Sequence, residues 1–150
     1  MTAEPTTSGA VIGRGSPQDL PGVRELLLAE GWDVDHVTEG EVFVARQGGV
    51  VGCVRVIEVG AGLFLVDDVM VRADRRGSGL GADLMRAALA ERDGTAYLAC
   101  HPERIAFYTR LGFGEDAPDR LPPPVRDYFR RSGDLADSEH AREHHFMRRP

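Results

Sequence analysis

The sequence contains no lysine: all eighteen basic residues among its 150 are arginine. That excludes the phosphate loop of nucleoside triphosphatases, whose lysine reaches the terminal phosphates. Cysteine is scarce too. Cys53 and Cys100 each sit inside an apolar, strand-like run, so they read as buried thiols and not as a disulfide framework. No apolar run approaches the roughly 18 residues that span a bilayer, and no charged-then-apolar start reads as a signal peptide. The expected location is therefore cytoplasmic, with no membrane as partner. A net charge of −6 argues against nucleic acid and favours a cationic partner.

What is present is ordinary for a soluble domain, with 42% hydrophobic and 28% charged residues, and the length suffices for one domain with a real core. The polar start, MTAEPTTSG (1–9), is expected to be a disordered tail, and residues 10–150 a single domain. Hydrophobic patterning then lays out the elements. Residues 10–14 read as a short strand. SPQD (16–19) starts a helix, with Ser16 as its cap and Pro17 at its first position, and Leu20, Val23 and Leu27 follow before Gly31 stops it. Residues 33–39 read as a short helix or turn. EVFVAR (41–46), a QGG turn and VVGCVRVIEV (50–59) read as a hairpin. LFLVDDVMV (63–71) is a third strand. From Gly79 to Arg92, Leu80, Leu84, Ala87 and Ala88 mark one helix face. TAYLAC (95–100) reads as a buried strand, Pro102–Leu111 as a helix and GFGED (112–116) as the start of another strand. Residues 117–142 form a long Pro-rich insertion with a helix near VRDYFRR (125–131), and HHFMRR (144–149) closes the chain as a strand. This order predicts an α/β protein with a mixed sheet and helices on its faces.

The stretch RADRRGSGLG (72–81) lies between a strand and a helix. Glycines there bring backbone close to a ligand, and the outward N–H groups of a helix's first turn form an anion site. Arg75 and Arg76 add positive charge. Three glycines beside two arginines exceed what a turn needs, so the stretch reads as a phosphate cradle. Gly77, Gly79 and Gly81 also fit the loose dinucleotide pattern, but a nicotinamide unit ends its next strand on an acidic residue, whereas this one ends on Cys100-His101.

Arg76-Gly77-Ser78-Gly79-Leu80-Gly81 resembles the R-x-x-G-x-G signature of the GCN5-related N-acetyltransferases (GNAT), and AFYTRLGF (106–113) resembles that family's A-x-F-Y-x-x-x-G-F segment. The two motifs stand in the family's order and separation. The resemblance covers roughly residues 10–116 and the last strand. It implies a mostly antiparallel central sheet of six or seven strands flanked by helices, with a β-α-β-α-β C-terminal half. It implies acetyl-CoA as cosubstrate, with its pyrophosphate on residues 76–81 and its acetyl oxygen and pantetheine arm on the backbone of Val69, Met70 and Val71. Tyr108 matches the tyrosine that protonates the coenzyme A sulfur. Asp67 matches an acidic position that serves as base in polyamine-type relatives. His101 replaces an asparagine that contacts the cofactor arm in many relatives; it can cap the following helix, touch the cofactor or help proton transfer, and capping is the expectation. Relatives often form homodimers.

The chemistry sets its own requirements. An alkylammonium, with a pKa of about 10, must lose a proton before it attacks. Charge on the thioester oxygen must be stabilised and the thiolate given a proton. Asp67 and Asp68 are consecutive carboxylates in an apolar strand; regular alternation sends them to opposite faces unless a bulge intervenes. Either is a candidate base, with Asp67 preferred. Asp33, Asp35, Glu39 and Glu41 lie where the family receives its acceptor and suit a small cationic amine such as a polyamine or amino sugar. The rival acceptor is a protein N-terminus or lysine; the rival of another class is a non-catalytic acyl-CoA sensor, which needs neither Tyr108 nor a strand acid. His140 and His144 are four apart, near Glu139 and Glu143, yet read as a polar surface, so no metal is expected. The 117–142 insertion reads as a lid closing through Tyr128 or Phe129.

Overall fold

A computed structural model describes residues 4–5, 9–32, 34–35, 39–90, 92–135 and 144–150. In chain order the elements are β1 (Glu4–Pro5), β2 (Val11–Arg14), α1 (Leu20–Leu28), β3 (Glu41–Arg46), β4 (Val50–Gly60), β5 (Leu63–Val71), α2 (Leu80–Leu89), β6 (Thr95–Cys100), α3 (Ile105–Thr109), β7 (Gly114–Asp116), α4 (Pro123–Ser132) and β8 (His145–Arg149). The strands hydrogen-bond in the order β1-β2-β3-β4-β5-β6-β8-β7. Pairing is antiparallel between β2 and β3 and between β3 and β4, parallel between β5 and β6, and antiparallel again where β8 meets β6 and β7. A parallel pair needs a crossover, and α2 supplies it.

The chain forms two compact units, Met1–Ile57 with Asp67–Arg92, and Glu58–Val66 with Asp93–Pro150. In the first, Val23, Leu26 and Leu27 of α1 pack with Val44, Cys53 and Met70. α2 lies against β2 and β3 and buries Leu80, Leu84, Met85, Ala88 and Leu89. Its apolar positions recur at three- and four-residue intervals, which is why one face of this helix is buried. The α1 entrance is built from SPQD: a 3-10 turn over Pro17–Asp19 leads into the helix, and Asp19 accepts the Ser16 N–H at 2.8 Å. Arg46 closes this corner, donating to both Asp19 oxygens at 2.9 and 2.6 Å. That guanidinium holds the Asp19 carboxyl down at about 2, from 3.8.

In the second unit, Leu98 of β6 and Met147 of β8 pair across the ladder and are buried. Val125, Tyr128 and Phe129 of α4 are buried as well, and the Phe129 ring meets that of Phe146 at 5.0 Å between centroids. Tyr128 and Phe129 are therefore core residues, not the tips of a lid. Their three- and four-residue spacing from Val125 puts them on one helix face, and burying that face is what orders α4.

Two local expectations change. Glu4–Pro5 add a short ladder to Val11–Ile12, in place of a tail loose throughout; this raises the strand count to eight. The helix expected over 102–111 is a 3-10 turn, Pro102–Arg104, followed by the short α3. It ends early because Leu111 and Gly112 donate three residues back, to Tyr108 and Thr109, and Gly112 takes φ 96°. Much of the helix or turn expected at 33–39 lies outside the described residues, as do His140, Glu139 and Glu143. Among the described residues no helix is long and apolar enough to cross a membrane.

Candidate active site

β5 runs directly into the glycine loop. After Val71, Arg72 pairs with Asp74, and Ala73–Arg75 form a 3-10 turn. Ser78 Oγ then donates to the Arg75 carbonyl at 2.6 Å, which closes the loop on itself. Gly77 and Gly79 take φ of 82° and 83°, the left-handed region that side chains with a Cβ disfavour. Nothing lies within 4 Å of where a Cβ would stand on either. Gly79 caps α2, and the first bond inside that helix runs from the Asp83 N–H to the Gly79 carbonyl. The N–H groups of Leu80, Gly81 and Ala82 thus precede the helical ladder and point out of its end. Leu80, 2% exposed, pins this turn into the core. Open backbone with positive φ, at the amino end of a helix, fits a pyrophosphate held by amide donors.

Arg76 does not stand over that loop. Its Nε donates to the Val71 carbonyl at 3.0 Å, its Nη2 pairs with Glu30 at the end of α1, and the same nitrogen lies 3.7 Å from Met70 Sδ. The guanidinium therefore ties the end of β5 to the end of α1. Met70 is part of the core, whereas Val69 and Val71 are half-buried.

The consecutive acids of β5 meet one cation. Asp68 has φ 52°, left-handed backbone in the middle of a strand. That turn breaks the alternation, and both carboxylates reach Arg55 of β4. Arg55 Nε donates to Asp68 Oδ2 at 2.8 Å and Nη2 to Asp67 Oδ2 at 3.1 Å. Nη1 donates to the Glu39 carbonyl at 3.1 Å. Asp67 Oδ1 accepts the Asp68 N–H at 2.8 Å, and Cys53 Sγ lies 3.4 Å from the Asp68 carbonyl. Arg55 and Asp68 are buried, at 1% and 5% exposure, while the Asp67 side chain keeps 36%. Burial, with the Asp68 charge beside it, pushes the Cys53 thiol up to about 12. It is thus a packed thiol and not a nucleophile.

Arg55 is the residue that reading the sequence overlooked. Its signal was visible: one arginine inside the apolar run VVGCVRVIEV must find a partner if buried, and the next strand, β5, carries two consecutive acids. Glu41, read as an acceptor-side acid, instead pairs through Oε2 with Arg14 at 3.1 Å and Arg92 at 3.2 Å.

Tyr108 and His101 belong to the second unit. The Tyr108 ring is buried, edge-on to Phe107 and Phe113 at centroid distances of 5.0 and 6.0 Å. His101 precedes the 3-10 turn, but its side chain makes no capping bond there. Its ring lies tilted against that of His144, 4.7 Å between centroids, and His144 Nε2 lies 3.2 Å from Asp134 Oδ1. The expectation of a side-chain cap is thus corrected. The His101 carbonyl accepts the Arg104 N–H at 3.0 Å, and the imidazole lies beside the His144 ring instead.

The acetyltransferase (GNAT) domain family matches residues 38–115, just over half the chain. This chain belongs to that family of N-acetyltransferases. No curated protein matches the sequence. Among solved structures, N-acetylglutamate synthase from Neisseria gonorrhoeae, complexed with coenzyme A and N-acetyl-glutamate, is similar at TM-score 0.74 and 16% identity. The match covers 93% of this chain and 34% of the synthase, so the chain spans about a third of that protein. Rv2747 from Mycobacterium tuberculosis, in complex with CoA and NLQ, is similar at TM-score 0.72 and 20% identity, over 93% of this chain and 98% of that one. An IAA acetyltransferase from Bacillus cereus is similar at TM-score 0.69 and 19% identity, over the same shares. These likenesses establish the fold: a mixed sheet flanked by helices, with the β5-α2-β6-α3-β7 half expected of the family.

Proposed function

We propose that this chain transfers the acetyl group of acetyl-CoA directly to the primary amine of a small cationic molecule, and that residues 10–150 act as one catalytic domain. The observation that carries the reading is Asp67, a carboxylate left partly open to solvent in an otherwise buried charge cluster on β5. Asp35 and Glu39 are exposed and add negative charge in the same compact unit. Two of the acids that suggested a cation are already paired, Glu41 with arginines and Asp68 with Arg55. Asp67 is also bound by Arg55, but its side chain stays partly open, so the attraction rests on that open edge together with the exposed Asp35 and Glu39.

Acetyl-CoA supplies the acetyl group as a thioester. In this reading the backbone of Gly77, Ser78, Gly79, Leu80 and Gly81 holds its pyrophosphate, Arg76 braces the loop, and His101 contacts the cofactor arm. Val69, Met70 and Val71 offer backbone donors to the pantetheine arm and the acetyl oxygen. Asp67 binds the substrate ammonium and takes its proton, directly or through a water. A carboxylate beside an ammonium both attracts it and opposes its deprotonation, so one group governs both steps. Tyr108 holds at its phenol oxygen the proton that the departing sulfur takes. Cys53 and Cys100 are both free thiols, which suits the reducing cytoplasm.

The test is release of coenzyme A thiol with polyamines, amino sugars, amino acids and lysine or N-terminal peptides as acceptors. A small cationic amine should show the highest kcat/KM, and Tyr108→Phe should lower kcat by roughly 100-fold. A peptide that outruns every small amine would replace this reading with a protein acceptor.

A further inference from the structure

The geometry points to Arg55 as a positioning residue for acetyl transfer: it fixes the Asp67 carboxylate and ties it to the acceptor-side segment that ends at Glu39. This rests on the reading of Asp67 as the proton acceptor.

The arrangement exceeds what neutralising Asp68 requires. A guanidinium carries its donors in a rigid planar fork, and here all three nitrogens are directed to different groups. Nε serves Asp68, Nη2 serves Asp67, and Nη1 reaches the Glu39 carbonyl. A simple buried pair would use one carboxylate. Instead the backbone takes φ 52° at Asp68, a conformation costly for a residue with a Cβ. The result is that a second carboxylate reaches the same cation. Asp67 is then fixed at both oxygens, Oδ2 by Arg55 and Oδ1 by the Asp68 N–H, while over a third of its side chain stays open to solvent.

The third bond gives the cluster its second role. Glu39 and Gly40 lead into β3, and Gly40 takes φ 77° at a point where a Cβ would run into the Val56 carbonyl and Ile57. Glu39 and Gly40 are therefore both held against β4, Gly40 by close packing and Glu39 by the Arg55 bond. Arg55 links the proton acceptor and the segment that carries the remaining exposed acids. Moving it displaces both, and misplacement by about 1 Å costs on the order of 100-fold in rate.

The test uses the full-length protein with spermidine, or whichever amine of the panel turns over fastest, as acceptor. Arg55→Lys keeps the positive charge but cannot span three acceptors. The expected result is a fall of about tenfold or more in acceptor kcat/KM, with kcat lowered and acceptor KM raised. The KM for acetyl-CoA and the Kd for CoA should stay within about twofold of wild type, which a general loss of structure would not allow. Unchanged acceptor kcat and KM in a variant that binds CoA overturns the proposal. If the lysine variant loses CoA binding, the double variant Arg55→Met/Asp68→Leu replaces the buried pair with apolar groups of similar size and leaves Asp67 without its guanidinium. It should show the same acceptor defect, and wild-type acceptor kinetics would overturn the proposal equally. Asp67→Asn separates the two ideas. A slow Asp67→Asn beside a normal Arg55→Lys removes only the role of Arg55. A normal Asp67→Asn removes the proton-acceptor reading, and with it anything for Arg55 to position.

Discussion

The guanidinium of Arg76 is held by the carboxylate of Glu30, and its Nε donates to the Val71 carbonyl at 3.0 Å. The first residue of the glycine-loop motif thus acts as a strut between α1 and the end of β5. Both side chains are partly exposed, so the pair contributes at most about 1 kcal/mol. Glu30→Gln should free Arg76 toward a bound dianion and tighten CoA by about two- to threefold at low salt, an electrostatic gain that fades at high salt. Calorimetric titration with CoA at two salt concentrations checks this; weaker binding at low salt would mean that the strut itself shapes the loop.

Gly79 and Gly81 are two residues apart and should respond oppositely. Gly79 has φ 83°, whereas Gly81 lies in the first turn of α2. Gly79→Ala places a Cβ on left-handed backbone and should cost about 1–2 kcal/mol. Gly81→Ala removes a flexible residue from a helix and should gain up to about 1 kcal/mol. Urea unfolding without CoA reads both, and equal effects of one sign would contradict the backbone assignment.

Asp19 and Arg46 give a pH signature. The Asp19 carboxyl lies at about 2 in the folded chain, below its ordinary 3.8, because Arg46 binds its charged form. A depressed carboxyl stabilises the fold above the unfolded value, and that contribution disappears as pH falls through the folded one. Asp19→Asn should therefore cost about 1 kcal/mol at neutral pH once screening is allowed for. The gap from wild type should close as the pH is lowered from 3.8 toward 2. Unfolding curves across that range decide; a gap that stays constant would assign the loss to packing.

Much of the architecture was legible because hydrophobic period and punctuation agree locally. Leu80, Leu84 and Ala88 mark the buried face of α2, and Gly79 stands where the helix begins. The last predicted strand closes the chain at His145–Arg149. The readings that changed depend on partners distant in sequence. Phe129 looks like an exposed insertion residue until Phe146 is placed against it, and Tyr128 until the buried face of α4 is seen. His101 looks like a cap until His144 is seen beside it.

Residue order alone carried the glycine loop, the order of the elements from β2 onward, and the tyrosine and acids available for chemistry. These follow from residue type and near-neighbour spacing, which backbone sterics translate directly into local structure. What the charges do was settled by contacts between side chains of different strands. Arg55 is twelve residues from Asp67 and thirteen from Asp68, and no periodicity links them. Sheet pairing and the left-handed turn at Asp68 bring them together, because a buried guanidinium is tolerated only where folded chain supplies its acceptors.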